Sequence, residues 1–283
     1  MLDILNSMEM RMNLRGYSPR TVEAYLRYVR KLANFYQKSF EQLETEEIQK
    51  YLQHLIVNKE FSNSYIHANY SAIKFLYQRI LKKNWNRELL PRLKKEKKLP
   101  VMLAKSEIKK IFSTVTNLKH KAIFMTIYSS GLRISEVCTL KIKDIDSKNM
   151  QIRVRQGKGK RDRYTILSET NLKILRDYWK KYRPKSWLFP GQPSNTSLGP
   201  RAVQIAFKNT LEKANITKAA TVHTLRHCFA THLLEAGNDL LYIQKLLGHT
   251  SPKTTAIYIH LTRKDINNLK SPLDIMMDDD SND

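Results

Sequence analysis

The ten residues HTLRHCFATH, numbers 223–232, decide how the second half of this chain folds. Leu225, Phe229 and Leu233 recur at four-residue steps, which predicts an amphipathic helix with one face in a core. Gly237 suits the position just after this helix, because glycine readily adopts the left-handed conformation that ends a helix. The segment therefore combines a core helix with two histidines and an arginine in its first turns.

Two further helices are predicted directly after this one. Asp239 begins a helix that ends at Gly248, and His249 follows that glycine immediately. The pair Ser251–Pro252 is typical of a helix start, since serine caps the free backbone N–H groups and proline suits the first helical position. The last helix is expected to contain Tyr258, almost two turns from its start.

Three interpretations of these polar residues stay open on the residues alone. His223 and His227 stand four residues apart, as two metal ligands on a helix do, but no third ligand has an obvious spacing and Arg226 would repel a cation. The residues could instead be histidines that pack between helices, beside the tyrosine of an amphipathic helix. The third interpretation is a phosphate site, which requires no metal.

A phosphate site needs fixed positive charge and, for covalent chemistry, a nucleophile. Arginine presents a planar fork to phosphate oxygens, and histidine donates to phosphate or moves protons near neutral pH. The hydroxyl of a tyrosine becomes a covalent nucleophile when its proton is removed and the charge of the phosphate is offset. Two arginines, a lysine, two histidines and a tyrosine at the ends of short elements would supply these groups.

A short β-hairpin is predicted before this segment. Residues 151–155, QIRVR, alternate polar and apolar side chains as a strand does, and residues 163–167, RYTIL, are the returning strand. Residues 157–160, GKGK, form the turn between them. The rest of the second half is predicted to be helical, with one helix start at Ser106. The predicted fold class is therefore mainly α with a small β-sheet (α+β).

The first part of the chain is predicted to be a separate helical domain. Gly16 and Pro19 are its only glycine and proline, and Ser18 followed by Pro19 predicts a helix start with proline at the first helical position. From there the apolar residues recur at three- and four-residue steps, as on one helix face. A charged stretch bounded by prolines follows and is typical of an extended linker. The predicted divisions are a helical domain over 1–90, a basic linker over 91–102, a second domain over 103–273 and an acidic tail over 274–283.

The charge of the chain favours a polyanionic partner. Its 283 residues include 50 Lys and Arg against 26 Asp and Glu, a formal net charge of +24. A basic surface attracts polyanions, and neutralising the phosphates of nucleic acid releases counterions and gives affinity without sequence reading. The alternative is a lysine-rich composition whose charges lie on solvated faces. Nucleic acid is therefore the favoured partner on composition.

The cysteines and the apolar runs narrow the class of protein further. Cys138 and Cys228 lie among apolar residues in helix-like segments, so both are expected to be buried, and neither a disulfide framework nor a cysteine-rich metal site is predicted. No signal peptide is recognised at the start, and no window approaches the ~18 apolar residues of a membrane span. A cytoplasmic protein with no membrane partner is expected.

Taken together, the motifs resemble those of the tyrosine recombinases, also called the phage-integrase family. Residues 131–136, GLRISE, resemble the motif of the family's first arginine, and the turn at 157–159 resembles its lysine hairpin. Residues 223–226, HTLR, and 246–249, LLGH, resemble the next two motifs. Tyr258 follows nine residues after the histidine of LLGH, where the family has its nucleophile. The resemblance implies Glu136 as a supporting acid and six catalytic residues: Arg133, Lys158, His223, Arg226, His249 and Tyr258.

The resemblance also implies a function and partners. Tyr258 is expected to cut and rejoin DNA at a specific site through a 3′-phosphotyrosyl bond, without metal, ATP or another cofactor, for integration, excision or replicon resolution. The helical first domain would be a core-binding (SAM-like) DNA-binding domain, and the second domain, over 103–273, would be the catalytic domain. The partner would be double-stranded DNA with paired half-sites, bound by a homo- or hetero-tetramer.

Two alternatives to a recombinase are kept. A non-cutting DNA-binding relative would have the same fold without the reaction, although no catalytic position is altered here. A type IB topoisomerase would relax supercoils without site dependence, although the two-domain size and LLGH at 246–249 favour a recombinase. With no long insertion between Lys158 and His223, the spacing favours a Xer-like or small mobile-element recombinase. The DNA target and the biological purpose stay open.

The net charge predicts a strong dependence of DNA affinity on salt. For a protein that neutralises six or more phosphates, the affinity for duplex DNA should fall about 1,000-fold or more between roughly 50 mM and 200 mM salt. Fluorescence anisotropy of a labelled duplex, measured across a salt series, gives the slope of affinity against salt on logarithmic axes. A flat plot would show that the basic surface does not bind phosphates.

Overall fold

The computed structural model describes residues 1–58, 61–86, 88, 90, 100–155, 162–249 and 251–261, without the side chains of 253 and 259–261. The chain divides into two compact units, Met1–Lys98 and Leu99–Asp283. The turn that carries Lys158, most of the linker at 91–102 and the acidic tail at 274–283 lie outside the described residues. The finer domain bounds expected from sequence therefore stay a prediction.

Over its described residues, the first unit is a bundle of four α-helices: α1 (Leu2–Leu14), α2 (Pro19–Tyr36), α3 (Thr45–Val57) and α4 (Asn63–Phe75), with a π-helical turn at Leu76–Ile80. Polar caps fix where the helices begin. Ser18 accepts a hydrogen bond from the Thr21 N–H at the start of α2, and Ser62 accepts one from the Tyr65 N–H at the start of α4. The predicted start of α2 at Pro19 is therefore confirmed.

The bundle has a continuous apolar core of its own. Helix α2 packs between α1 and α4, and its residues at three- and four-residue steps are buried, as the periodicity predicts. The fully buried side chains include Met8, Met12, Val29, Leu32, Phe40, Ile48, Ala72 and Ile73. This unit therefore has the core that an independent helical domain needs.

The second unit is mixed. Its α-helices are α5 (Lys105–Thr114), α6 (Leu118–Ser130), α7 (Ile134–Cys138), α8 (Glu169–Tyr182), α9 (Pro200–Lys213), α10 (Val222–Glu235), α11 (Leu240–Leu247) and α12 (Pro252–Thr255), and its strands are β1 (Ile145–Asp146), β2 (Gln151–Val154) and β3 (Arg163–Ile166). Turns of 3₁₀ helix lie at Ile142–Asp144 and Ala256–Leu261. The predicted fold class, mainly helical with a small sheet, is confirmed.

The three strands form one antiparallel sheet in the order β1-β2-β3. Ile152 pairs with Thr165 and Val154 with Arg163, so the two predicted strands form the expected hairpin. The short strand β1, which pairs with β2, is not predicted from sequence. The sheet places the first residue of β3 near the ends of the helices that carry the polar motifs.

Helix α6 is the centre of the second core. It packs against α8, α9 and α10, and it is buried on more than one face, with Ala122, Phe124 and Ile127 fully covered. The ring of Phe124 meets the ring of Phe207 edge-on at 5.1 Å between centroids. Because α6 packs against apolar neighbours, the position of its carboxyl end is fixed. The predicted polar motifs lie around that end.

A glycine lets the chain turn sharply at this end of α6. Gly131 has a φ of +62°, and a Cβ there would overlap the ring of Phe229 in α10 and come within 2.9 Å of Leu247 in α11. Only glycine tolerates both the left-handed backbone and this close approach. The turn brings Arg133, two residues later, to the start of α7 beside α10 and α11.

In the part of the chain that the structure describes, none of the helices has the length and apolar character needed to cross a membrane.

Candidate active site

Glu136 is the buried acid at the centre of the site. It lies in the first turn of α7, where its Oε2 accepts a hydrogen bond from the backbone N–H of Arg133 at 2.7 Å. This contact caps the helix and explains why α7 begins at this point. The side chain of Glu136 is only 6% exposed, so its charge must be balanced by partners within the protein.

Three arginines supply that balance. Arg163 binds the carboxylate with two parallel hydrogen bonds of 2.8 Å, and Arg133 adds one of 2.7 Å from its side chain. The Nη1 of Arg226 lies 3.7 Å from Oε2. Burial by itself raises the pKa of Glu136, but the hydrogen bonds and charge of Arg163, with those of Arg133, outweigh it and lower the pKa to about 2. Glu136 is therefore ionised at any physiological pH.

Arg226 is buried and its guanidinium is fixed by the backbone. Its Nη1 donates to the carbonyl of Gly131 at 2.6 Å, and its Nη2 donates to the carbonyl of Leu247 at 2.7 Å. Burial, and next the charge of Arg133, lower the pKa of Arg226 to about 10. The group stays charged at neutral pH, and it joins the ends of α6 and α11 to α10.

Arg163 is a part of the site that sequence reasoning missed. Besides its bonds to Glu136, its Nε donates to the carbonyl of Leu246 at 2.9 Å. It also packs on Gly248, where a Cβ would lie 2.7 Å from the Cδ of Arg163. On the same strand, Tyr164 and Ile166 are exposed. The alternation of apolar residues would predict that these two side chains face the core and that Arg163 faces solvent, which is the reverse of the structure.

His249 lies between Arg226 and Thr255. Its Nε2 lies 3.1 Å from Nη2 of Arg226. Its Nδ1 lies 2.9 Å from Oγ1 of Thr255. Thr255 is fully buried and was not singled out from the sequence. Its hydroxyl orients the ring of His249.

The two histidines of α10 stand side by side. The rings of His223 and His227 are 4.5 Å apart between centroids and meet edge-on, as the four-residue spacing on a helix allows. Desolvation, and then the charges of Arg226 and Arg133, lower the pKa of His223. Burial, then His223 and Arg226, lower the pKa of His227 to about 4. Both rings are therefore biased towards the neutral form.

Tyr258 lies beside these histidines and is almost completely buried, with 2% of its surface exposed. Its hydroxyl lies 3.1 Å from Nδ1 of His227, and its ring is nearly parallel to that of His249. Burial raises the pKa of Tyr258, although the nearby Arg226 and Arg133 act in the opposite direction. The predicted helix is partly wrong here: α12 ends at Thr255, and Tyr258 lies in the 3₁₀ turn that follows.

The structure brings together every sequence-predicted site residue that it describes. Helix α7 and the residue before it supply Glu136 and Arg133, α10 supplies His223 and Arg226, and the segment after α11 supplies His249 and Tyr258. Lys158 lies outside the described residues. Across the described ranges, no group of three or more His, Cys, Asp or Glu side chains is arranged to hold a metal ion. Arginines, neutral histidines and a tyrosine form a site suited to an anion such as phosphate.

Comparisons with known proteins agree with this arrangement. The model of the phage integrase family matches residues 101–265, which is more than half of the chain. The chain therefore belongs to the phage integrase family of tyrosine recombinases. The model of the phage integrase N-terminal SAM-like domain matches residues 4–87, which is the helical first unit.

Individual relatives extend over almost the whole chain. A putative integrase/recombinase of Sinorhizobium fredii, y4qK, is 41% identical over 94% of this chain and 86% of the relative. The tyrosine recombinase XerA of Pyrococcus horikoshii is 34% identical over 93% of this chain and 90% of the relative. The present chain is therefore an enzyme of the tyrosine recombinase family.

Solved structures share the fold. A crystal structure of XerA recombinase matches 92% of this chain and 94% of its own at 30% identity, with a TM-score of 0.55. A lambda integrase dimer bound to a COC′ core site matches 95% of this chain and 99% of its own at 18% identity, with a TM-score of 0.76. At that identity the second likeness shows the fold alone.

The ion pairs of Glu136 predict a specific acid sensitivity of the fold. Because its pKa is lowered from 4.5 to about 2, the stabilisation from this carboxylate is complete above about pH 5 and is lost as the pH falls towards 2. The recombinase should lose about 3 kcal/mol more free energy of unfolding over this range than Glu136→Gln does. Denaturant titrations at each pH measure the difference.

The matched control is Glu212→Gln, whose carboxylate is exposed and makes a long pair with Lys208 at 3.9 Å. This variant should follow the pH dependence of the unchanged protein. If Glu136→Gln follows it as well, the carboxylate of Glu136 does not hold the arginines in the way described.

Proposed function

We propose that this recombinase cuts and rejoins duplex DNA at a specific site, with Tyr258 as the nucleophile. The single observation that supports this most is the position of the buried Tyr258 hydroxyl beside His227, within the field of Arg133 and Arg226. Two guanidinium groups near one phenol are what a phosphodiester under attack requires, because negative charge gathers on its nonbridging oxygens.

In the proposed step, the Tyr258 oxygen forms a bond to phosphorus while the bond from phosphorus to the 5′ oxygen breaks. Arg133 and Arg226 bind the nonbridging oxygens, and His249 adds a hydrogen bond. The phenolic proton passes to a histidine of α10, for which the sequence favours His223. Lys158 brings a proton to the leaving 5′ oxygen. The product is a 3′-phosphotyrosyl bond, which keeps the energy of the phosphodiester for rejoining.

The proposed partner is double-stranded DNA with paired half-sites, bound by a homo- or hetero-tetramer in the cytoplasm. The net charge of +24 supports a polyanionic partner. Among the similar structures, a XerH site-specific recombinase is bound to a difH substrate and lambda integrase is a dimer on its core site. Two duplexes with two half-sites each require four subunits, which is why a tetramer is proposed.

Covalent trapping tests the nucleophile. The purified protein is incubated with fragmented genomic DNA of its host, and complexes that survive SDS are recovered and sequenced to find the site. Tyr258→Phe keeps the ring but removes the attacking oxygen, so it should bind DNA and form no SDS-resistant complex. Tyr242→Phe, on the exposed face of α11, is the matched control and should trap DNA normally.

The outcomes also separate the alternatives. A protein that binds DNA but traps none would be a non-cutting relative. Trapping at many unrelated sequences, with relaxation of any supercoiled plasmid, would indicate a topoisomerase. A covalent complex that persists in Tyr258→Phe would exclude Tyr258 as the nucleophile.

A sulfur-substituted substrate separates the roles of Lys158 and the arginines. A thiolate leaves without a proton, so a bridging 5′ sulfur should restore cleavage to Lys158→Ala. The sulfur should not restore cleavage to Arg226→Ala, because that variant lacks charge stabilisation rather than an acid. Arg133→Ala should likewise stay inactive, and it tests the same role at a more exposed guanidinium. Single-turnover cleavage rates give the comparison, and equal rescue of all three variants would contradict the assignment of Lys158 as the acid.

A further inference from the structure

Helix α10 carries two pairs in which a histidine Nδ1 meets a tyrosine hydroxyl. His232 Nδ1 lies 2.9 Å from the hydroxyl of Tyr128, and His227 Nδ1 lies 3.1 Å from the hydroxyl of Tyr258. The first pair joins α10 to α6. The second pair involves the hydroxyl that attacks DNA in the proposed function, so its histidine contacts a reacting atom.

The position of His227 differs from that of His223 in one respect. Both rings lie on the same face of α10 and touch each other. The hydrogen bond to the Tyr258 oxygen, however, belongs to His227. A general base must lie within hydrogen-bond distance of the proton that it removes, and His227 meets this requirement before any rearrangement.

The surroundings of His227 keep its ring neutral and able to accept. Burial, and then the charges of His223 and Arg226, lower its pKa to about 4. A neutral imidazole has one nitrogen with a free lone pair, and a hydroxyl hydrogen directed at Nδ1 requires that lone pair to be there. Among the described residues, the titratable and charged groups around the pair of His227 and Tyr258 are His223, Arg226, His249, Arg133 and Glu136.

We infer that His227, rather than His223, receives the phenolic proton when Tyr258 attacks the DNA phosphate. This assignment rests on the proposed function of the site. As the bond between the Tyr258 oxygen and phosphorus forms and the bond to the 5′ oxygen breaks, the phenolic proton moves to Nδ1, and His227 becomes an imidazolium. In rejoining, the 5′ hydroxyl attacks, the phosphotyrosyl bond breaks and Nδ1 returns the proton to Tyr258.

The arrival of the substrate makes this transfer feasible. The basicity of His227 is low in the DNA-free protein because the ring is buried and because His223 and Arg226 lie beside it. A phosphate bound by Arg133 and Arg226 would offset the positive charge of Arg226, so the imidazolium form becomes less costly when DNA is present. The base would therefore gain strength at the moment when the nucleophile has a target.

The decisive variant is His227→Asn. The asparagine oxygen takes the place of Nδ1 and still accepts a hydrogen bond from Tyr258, but an amide cannot take up the proton. Single-turnover cleavage is measured from about pH 5.5 to 9 on a duplex that carries the site recovered by trapping with the unchanged protein. His227→Asn should be about 100-fold slower at neutral pH. Its rate should rise about tenfold per pH unit, as Tyr258 must then ionise by itself.

Two control variants accompany it. His232→Asn makes the same change in the pair with Tyr128 and should keep the rate and pH profile of the unchanged protein. His223→Asn should lower the rate without the tenfold rise per pH unit. If His227 only holds the tyrosine in place, His227→Asn will keep the unchanged pH profile, and this result would overturn the assignment. A pH-dependent loss in His223→Asn instead would overturn it as well.

A second measurement uses the unchanged protein and does not depend on a variant that folds. Nitrogen-15 NMR of the DNA-free protein, with His227 assigned by comparison with His227→Asn or His227→Gln, reports which ring nitrogen carries the hydrogen. Nδ1 is expected to be the unprotonated nitrogen at neutral pH, and a hydrogen on Nδ1 would overturn the assignment. If the unchanged protein traps no DNA at all, it is the proposed function that fails.

Discussion

The carboxylate of Glu136 is the interaction on which the rest of the site depends. Three guanidinium groups from three separate elements converge on it, and without an anion between them they would repel one another in a partly dry environment. One negative charge shared among three positive ones leaves the site cationic. The carboxylate therefore offsets enough of the repulsion between the guanidinium groups for the chain to fold. The positive charge that remains would attract an anion such as phosphate.

Burial and the same positive charge act together on the two histidines of α10. Both effects hold His223 and His227 towards the neutral form. In the proposed reaction, arginines that do not titrate in the physiological range would supply the fixed charge, and uncharged histidine rings would transfer the proton. Charge stabilisation and proton transfer would thus be divided between two residue types.

The sequence predicts the backbone elements best where local rules decide them. The start of α2 at Pro19 and the end of α11 at Gly248 are confirmed because a cap and a left-handed glycine act locally. The helix start expected at Ser106 is wrong. Glu107 instead binds the backbone N–H of Ala104 and begins α5 earlier.

Contacts between distant segments are what the sequence cannot predict. Arg163 lies on a strand whose apolar residues face solvent, so periodicity assigns it to the wrong face. The partners of His227 and Thr255 depend on how the segment after Gly248 returns to α10, which the tertiary fold decides. The resemblance to the family, by contrast, predicts that Arg133, Glu136, His223, Arg226, His249 and Tyr258 belong to one site. These residues lie together in the structure because each motif stands at the end of an element and those ends meet.

The backbone bonds of Arg226 have a consequence for the energetics of recognition. A free arginine has about 2 kcal/mol of rotamer entropy to lose when it grips a ligand. Arg226 is already immobilised by the carbonyls of Gly131 and Leu247 and already stripped of water, so both losses occur once, when the chain folds. If Arg226 binds DNA as proposed, each encounter would meet a guanidinium that is already fixed, and discrimination between substrates would rest on how the phosphate is presented.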